Sequence, residues 1–202
     1  MAARRINENL WEAHKRQSIQ DAVVRVMCRE GVSAVTMERV AQEVGIAKGT
    51  VYLYYETKEQ LLEAVKESSL EPLREKIEAI LTGAGTPEKR LRTVPVRYLS
   101  YFDEHRDLFR ILLFDRQAPA RNARYRSSRY RRLVEATAAV ISEGVRDGAF
   151  REVDANSVGA MFLDSMIALV NQRLAADVPL PVEDDAALVA DIFIRGLKRT
   201  SR

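Results

Sequence analysis

The 202-residue sequence has one cysteine, Cys28, and two histidines, His14 and His105. A single cysteine excludes an intrachain disulfide, and no CxxC or HExxH spacing exists to hold a structural zinc. No metal and no cofactor are expected. Cys28, among apolar and basic residues near a predicted helix end, reads as a plain buried thiol. Long apolar runs are missing too. Ile111 to Phe114 is far below the roughly 18 residues of a membrane span, and the first thirty residues lack a secretory apolar stretch. Cytoplasmic residence without a membrane partner is the expectation. A net charge of +3 is too small to announce nucleic acid, so any DNA-binding signal must lie in the residue pattern. One local bias exists: Arg116, Arg121, Arg124, Arg126, Arg129, Arg131 and Arg132 lie between acids only at Asp115 and Glu135. This stretch reads as a solvated or pairing helix face, or as an attractor of an anionic ligand. Catalytic signatures are absent: there is no GxSxG, no plausible cysteine–histidine pair and no phosphate-cradling glycine loop. An enzyme is not expected.

What is present is helical periodicity, and nothing alternates convincingly with period two, so the fold class is all-α. Ile19, Ala22, Val23, Val26 and Met27 share one face of a first helix over 15–30, which Gly31 stops. Thr36 caps a second helix through Val44, Gly45 breaks it, and a third runs from Ala47 to about Tyr54. Thr57 and Gln60 form a capping box that opens a long fourth helix through Leu81, with Pro72 expected to kink it. Thr86 and Pro87 start a fifth helix, and Asp107 a sixth that is almost wholly apolar from Leu108 to Phe114 and therefore expected to be buried. A seventh helix ends at Asp147-Gly148, Asp154 caps an eighth, and Pro179-Leu180-Pro181 leads into a ninth. The expected division is a flexible basic arm over 1–14, a helix-turn-helix domain over 15–60 and a larger helical domain over 61–202. The arm, with Arg4 and Arg5, is either disordered or placed to reach a DNA minor groove.

Residues 37–56 satisfy the demands of a helix-turn-helix position by position. Ala41 is small where two helices must touch, and Gly45 tolerates positive φ at the turn. Val40, Val44, Ile46, Val51 and Tyr54 are the apolar positions of its miniature core. With Val51 and Tyr54 inward, Lys48, Gly49, Thr50 and Tyr52 turn outward near the start of the third helix. A recognition helix presents such residues to the major groove, where Lys48 suits a guanine edge or phosphate and Thr50 a base edge or thymine methyl. Gly49 lets the helix approach the DNA backbone closely. The free amides near Thr36 and Thr57, and Ala47 at the third helix start, are phosphate-facing candidates. Tyr52 and Lys58 join them, Tyr54 is counted in the DNA-binding set although its helix position faces inward, and Tyr55 is either another phosphate contact or a core aromatic.

The run from Gly31 to Leu62, with Thr36-Met37-Glu38-Arg39-Val40-Ala41 and Lys48-Gly49-Thr50-Val51-Tyr52-Leu53-Tyr54-Tyr55 at its heart, resembles the DNA-binding domain of the TetR (tetracycline repressor) family. The turn Val145 to Phe150 is also similar to the family's. The resemblance implies nine-helix subunits that pair through their last two helices, operator DNA as partner, and a ligand cavity in the carboxy-terminal domain. Leu169, Arg173, Leu188, Ile192 and Phe193 are expected at the homodimer interface. Tyr98, Phe102, His105, Phe109, Phe114, Met161, Phe162, Ser165 and Met166 are the candidate lining for a small apolar or amphipathic ligand, with ordinary core packing the plainer account of each taken singly. The implied function is a repressor on a palindromic operator, released by an inducer. Activation and a ligand-free architectural role are the alternatives.

Overall fold

A computed structural model describes residues 2–114 and 128–199, with side chains from Leu10 to Leu113 in the first stretch. Among the described residues there are nine α-helices and no strand: α1 (Ala2–Glu30), α2 (Met37–Val44), α3 (Lys48–Tyr54), α4 (Lys58–Thr82), α5 (Pro87–Glu104), α6 (Arg106–Phe114), α7 (Ser128–Arg146), α8 (Ala155–Ala175) and α9 (Val182–Leu197). A 3₁₀ turn, Val32–Ala34, links α1 to α2. The predicted caps are in place. The Thr36 hydroxyl accepts from the Arg39 amide at 3.0 Å, that of Thr57 from Gln60 at 3.1 Å, and that of Thr86 from Lys89 at 3.3 Å. Asp154 Oδ1 accepts from the Asn156 amide at 3.2 Å. Each satisfies an amide that the first helical turn leaves without a partner.

Three expectations need correction. Residues 2–14 are not an arm: α1 is helical from Ala2, because this stretch holds good helix formers and neither glycine nor proline interrupts it before Gly31. Cys28 is exposed, since Met27 and Val26 take the inward face and leave it turned away. α6 is not buried all round; Phe109 and Leu112 are buried while Leu108, Ile111 and Leu113 are half-buried and Arg110 is exposed, so the charged residues give it a solvent face.

The chain divides into two compact units, one comprising the residues up to Leu70 together with α6 from Asp107, the other Glu71–Arg106 and α7 to α9. In the first, Ile19, Ala22, Val23, Val26 and Met27 of α1 are buried with Val35, Val40, Ala41, Val51, Leu61 and Val65. In the second, α5 packs on α7, α8 and α9, and α7 packs along α8. A Cβ on Gly159 of α8 would lie 3.3–3.4 Å from the α7 backbone at Val134 and Ala138, so the two helices cross with almost no side-chain spacer. Leu91, Val94, Leu99, Ile141, Phe162, Met166, Val189 and Ile194 fill this interior.

Candidate nucleic-acid interface

Two local devices set the angle between α2 and α3. Gly45 adopts φ 76° and ψ 36°, and its amide donates to the carbonyls of Ala41 at 2.9 Å and Gln42 at 3.2 Å, closing α2. Ala41 and Val40 are buried beneath it, and Val51 is wholly buried on the inner face of α3. An ion-pair network then ties α2 to α1. Glu43 accepts from Arg29 at 2.6 Å and Arg25 at 3.1 Å and lies 3.3 Å from Arg39, which in turn donates to Glu30 at 2.6 Å. Hydrogen bonds from Arg29 and Arg25 push the Glu43 carboxyl down to about 2, and the Arg39 bond lowers Glu30 in the same way.

With Val51 inward, the 100° step of the helix places Lys48, Tyr52, Gly49 and Leu53 on one outward arc of α3. All four are exposed; Tyr52 is 47% and Leu53 81% accessible. Lys48 makes only a 3.5 Å surface pair with Glu38, and a Cβ on Gly49 would meet nothing within 4 Å. Ala47 is exposed at the start of α3, and Thr50 is half-buried at the edge of the arc. The residues behind are engaged within the unit. Tyr55 is 4% exposed and its hydroxyl accepts from Gln20 at 2.8 Å, so it is the core aromatic of the two readings. Tyr54 is half-buried, with the Arg16 guanidinium 5.3 Å from its ring and bonded to its carbonyl at 3.3 Å. Lys58 Nζ donates to the Val32 carbonyl at 3.1 Å, fastening the start of α4 to the 3₁₀ turn. Leu53 escaped the sequence reading, although its i+4 relation to Gly49 was a signal for it.

The second unit scatters the expected ligand and interface residues. Phe102, Phe162 and Met166 are buried core, with Tyr98 half-buried 5.3 Å from the Phe102 ring. Ser165 is half-buried and donates to the Phe162 carbonyl at 2.7 Å. His105 is exposed against Tyr101 at the end of α5, and Met161 is 62% exposed, so neither points into an interior. Phe109 is buried in the other unit, and Phe114 lies outside the residues with described side chains. Arg116, Arg121, Arg124 and Arg126 also lie outside the described residues. An open groove of about 700 Å³ runs instead along α5 and the end of α4, lined by Ile80, Thr86, Glu88, Lys89, Arg92, Thr93, Val96, Arg97 and Ser100. Arg173 is not a surface residue. It is 5% exposed, paired with Asp103 and Asp185 and bonded to the Leu180 carbonyl at 2.8 Å, because a buried guanidinium needs its charge and its donors answered within the subunit. Leu188 and Ile192 are exposed at 54% and 60%, Leu169 is half-buried, and half-buried Phe193 stacks edge-on against Phe162 at 5.2 Å.

Two family models match this chain: that of the bacterial regulatory proteins of the tetR family over residues 19–65, and that of the tetracyclin repressor-like C-terminal domain over 84–197. The chain belongs to the TetR family. It is therefore a DNA-binding transcriptional regulator that uses its helix-turn-helix. This TetR-family regulator is 36% identical over 80 residues to the HTH-type transcriptional regulator BetI of Rhizobium meliloti (strain 1021), a match covering 40% of this chain and 39% of BetI. It is 21% identical over 186 residues to the regulator YhgD of Bacillus subtilis (strain 168), covering 91% of this chain and 96% of YhgD. The match thus takes in about two fifths of BetI and nearly all of YhgD. The fold is similar to that of FadR from Bacillus subtilis, solved with stearoyl-CoA, at a TM-score of 0.73 and 20% identity over 90% of this chain and 98% of FadR. These relatives are regulators rather than enzymes. No described helix is long and apolar enough to cross a membrane.

Proposed function

We propose that the protein is a homodimeric repressor that reads a palindromic operator through α3 and leaves it when a small amphipathic ligand binds. The observation that carries the proposal is the outward arc of α3. Lys48, Tyr52 and Gly49 are exposed, while Val51 is wholly buried and Tyr54 and Tyr55 are held by Arg16 and Gln20. Lys48 exchanges its weak pair with Glu38 for a guanine edge or phosphate, Tyr52 offers its hydroxyl to a phosphate, and bare Gly49 admits the DNA backbone. Thr50 reaches a base from the edge of the arc. The open amides after Thr36 and Thr57, with Ala47, face phosphates, and Tyr54, Tyr55 and Lys58 hold the helices that present them.

Exposed Leu188, Ile192 and Met161, with half-buried Leu169, support pairing of two subunits through α8 and α9, since apolar side chains left in water gain by covering one another. A palindromic operator calls for two copies of α3 about one turn of DNA apart, ~34 Å. For the ligand, the α5 groove is open to solvent, with apolar Val96 and Ile80 beside the cations Lys89 and Arg97, a mixture that suits an acid with an apolar body. The stearoyl-CoA of the similarly folded FadR is a molecule of that kind.

Selection of bound duplexes from a random pool tests the reading. A palindromic site should emerge, Lys48→Ala should weaken it while leaving the melting temperature unchanged, and an aperiodic mixture bound equally by the variant would refute it.

A further inference from the structure

Leu53 stands out on the DNA-facing arc. A single exposed leucine is ordinary on a protein surface. This one is 81% accessible on a seven-residue helix whose other outward side chains, Lys48 and Tyr52, carry polar ends. It contributes nothing to the core, because Val51 supplies the buried apolar contact of α3. It stands one turn beyond Gly49, where no side chain exists and a Cβ would meet nothing within 4 Å, so nothing on the protein side shields it as the helix approaches a groove.

B-DNA shows an approaching helix one strongly apolar feature in its major groove, the C5-methyl group of thymine; the remaining edge atoms are donors and acceptors. An isobutyl group pressed against those polar atoms would strip their water and return no hydrogen bond. Resting on the reading of α3 as the recognition helix, we propose that Leu53 is a specificity-determining residue that packs on the C5-methyl of one thymine in each half-site. It selects thymine over cytosine there, beside the close approach that Gly49 permits. Burying one methyl against leucine at about 0.8 kcal/mol gives roughly four-fold discrimination per half-site, or about fifteen-fold across a symmetric site.

Deoxyuridine separates the methyl from everything else, because it pairs and bonds as thymine does and lacks only that group. In the duplex selected from the random pool, each thymine is replaced in turn by deoxyuridine, and binding is measured at fixed salt for wild type, Leu53→Ala and Lys48→Ala. The expected result is one thymine per half-site where deoxyuridine weakens wild type about four-fold and leaves Leu53→Ala unaffected. Equal wild-type binding to all thymine and deoxyuridine duplexes overturns the proposal, as does a thymine preference that survives in Leu53→Ala. If Lys48→Ala still weakens binding in either of those cases, α3 remains the reading helix and only the role of Leu53 falls. Failure to enrich any duplex overturns both. Leu53→Ala should melt with wild type, since the exposed site packs against nothing and alanine favours a helix.

Discussion

Gly45 holds φ 76° at the turn between α2 and α3, a region that a β-branched side chain resists. Gly45→Val should therefore destabilise the first unit by about 1–3 kcal/mol, measured by urea unfolding, even though a Cβ there meets no neighbour. The cost lies in the backbone rather than in a clash. Glu43 gives a prediction of a different kind. Its folded-state carboxyl is held near 2, below the ordinary 4.5, by Arg29 and Arg25. The stability this contributes is fully present above pH 4.5 and is lost as pH falls toward 2. Glu43→Gln should unfold at lower temperature than wild type at pH 7, and the gap should close on titration through that window. Gly45 and Thr36 were legible in the sequence because a left-handed turn and a cap act over four residues. Tyr55 and Lys58 were not: a phenol or ammonium suited to a phosphate is equally suited to Gln20 or the Val32 carbonyl, partners 35 and 26 residues away.

At the scale of elements, the turn from α7 to α8 is built around a missing Cβ. Phe150 is buried, its amide donates to the Gly144 carbonyl at 2.9 Å, and a Cβ on Gly144 would fall 2.2 Å from the Phe150 ring. Gly144→Ala should displace the ring and cost about 1–3 kcal/mol in thermal unfolding, more than the helix propensity of alanine returns. The end of α5 is joined to α8 and α9 by Arg173 through Asp103 and Asp185. Arg173→Met should cost on the order of 3 kcal/mol in denaturant unfolding, because Asp185 loses its buried partner and Asp103 keeps only Arg106 at 3.9 Å. The sequence placed α8 and α9 correctly from their periodicity, the Asp154 cap and the Pro179-Leu180-Pro181 connection, yet it assigned Arg173 to the dimer surface. Nothing within a few residues of Arg173 marks it as buried, since its partner Asp103 lies 70 residues back.

For the whole molecule, the proposed pairing through α8 and α9 and the proposed reading through α3 make separable predictions. Leu188→Glu with Ile192→Glu should yield a monomer by light scattering, because facing charges replace facing apolar groups. Operator affinity should then fall by about 10²–10⁴, as the second half-site is no longer tethered to the first. Melting should stay near that of wild type at matched low concentration, since both side chains are already exposed in the subunit.

The all-α class, the helix-turn-helix and the family could be read from the residues alone, because periodicity, caps and a glycine turn are local and repeat within one or two turns of chain. The outward face on α3 followed from the same period for Lys48, Gly49 and Tyr52. It took the packed chain to show which polar groups turn inward, that Leu53 completes that face, and that an open groove lies along α5 while Phe102, Phe162 and Met166 are filled core. The difference is one of range. A side chain's propensity is set by its neighbours along the chain, whereas its burial is set by elements that the chain brings back from dozens of residues away.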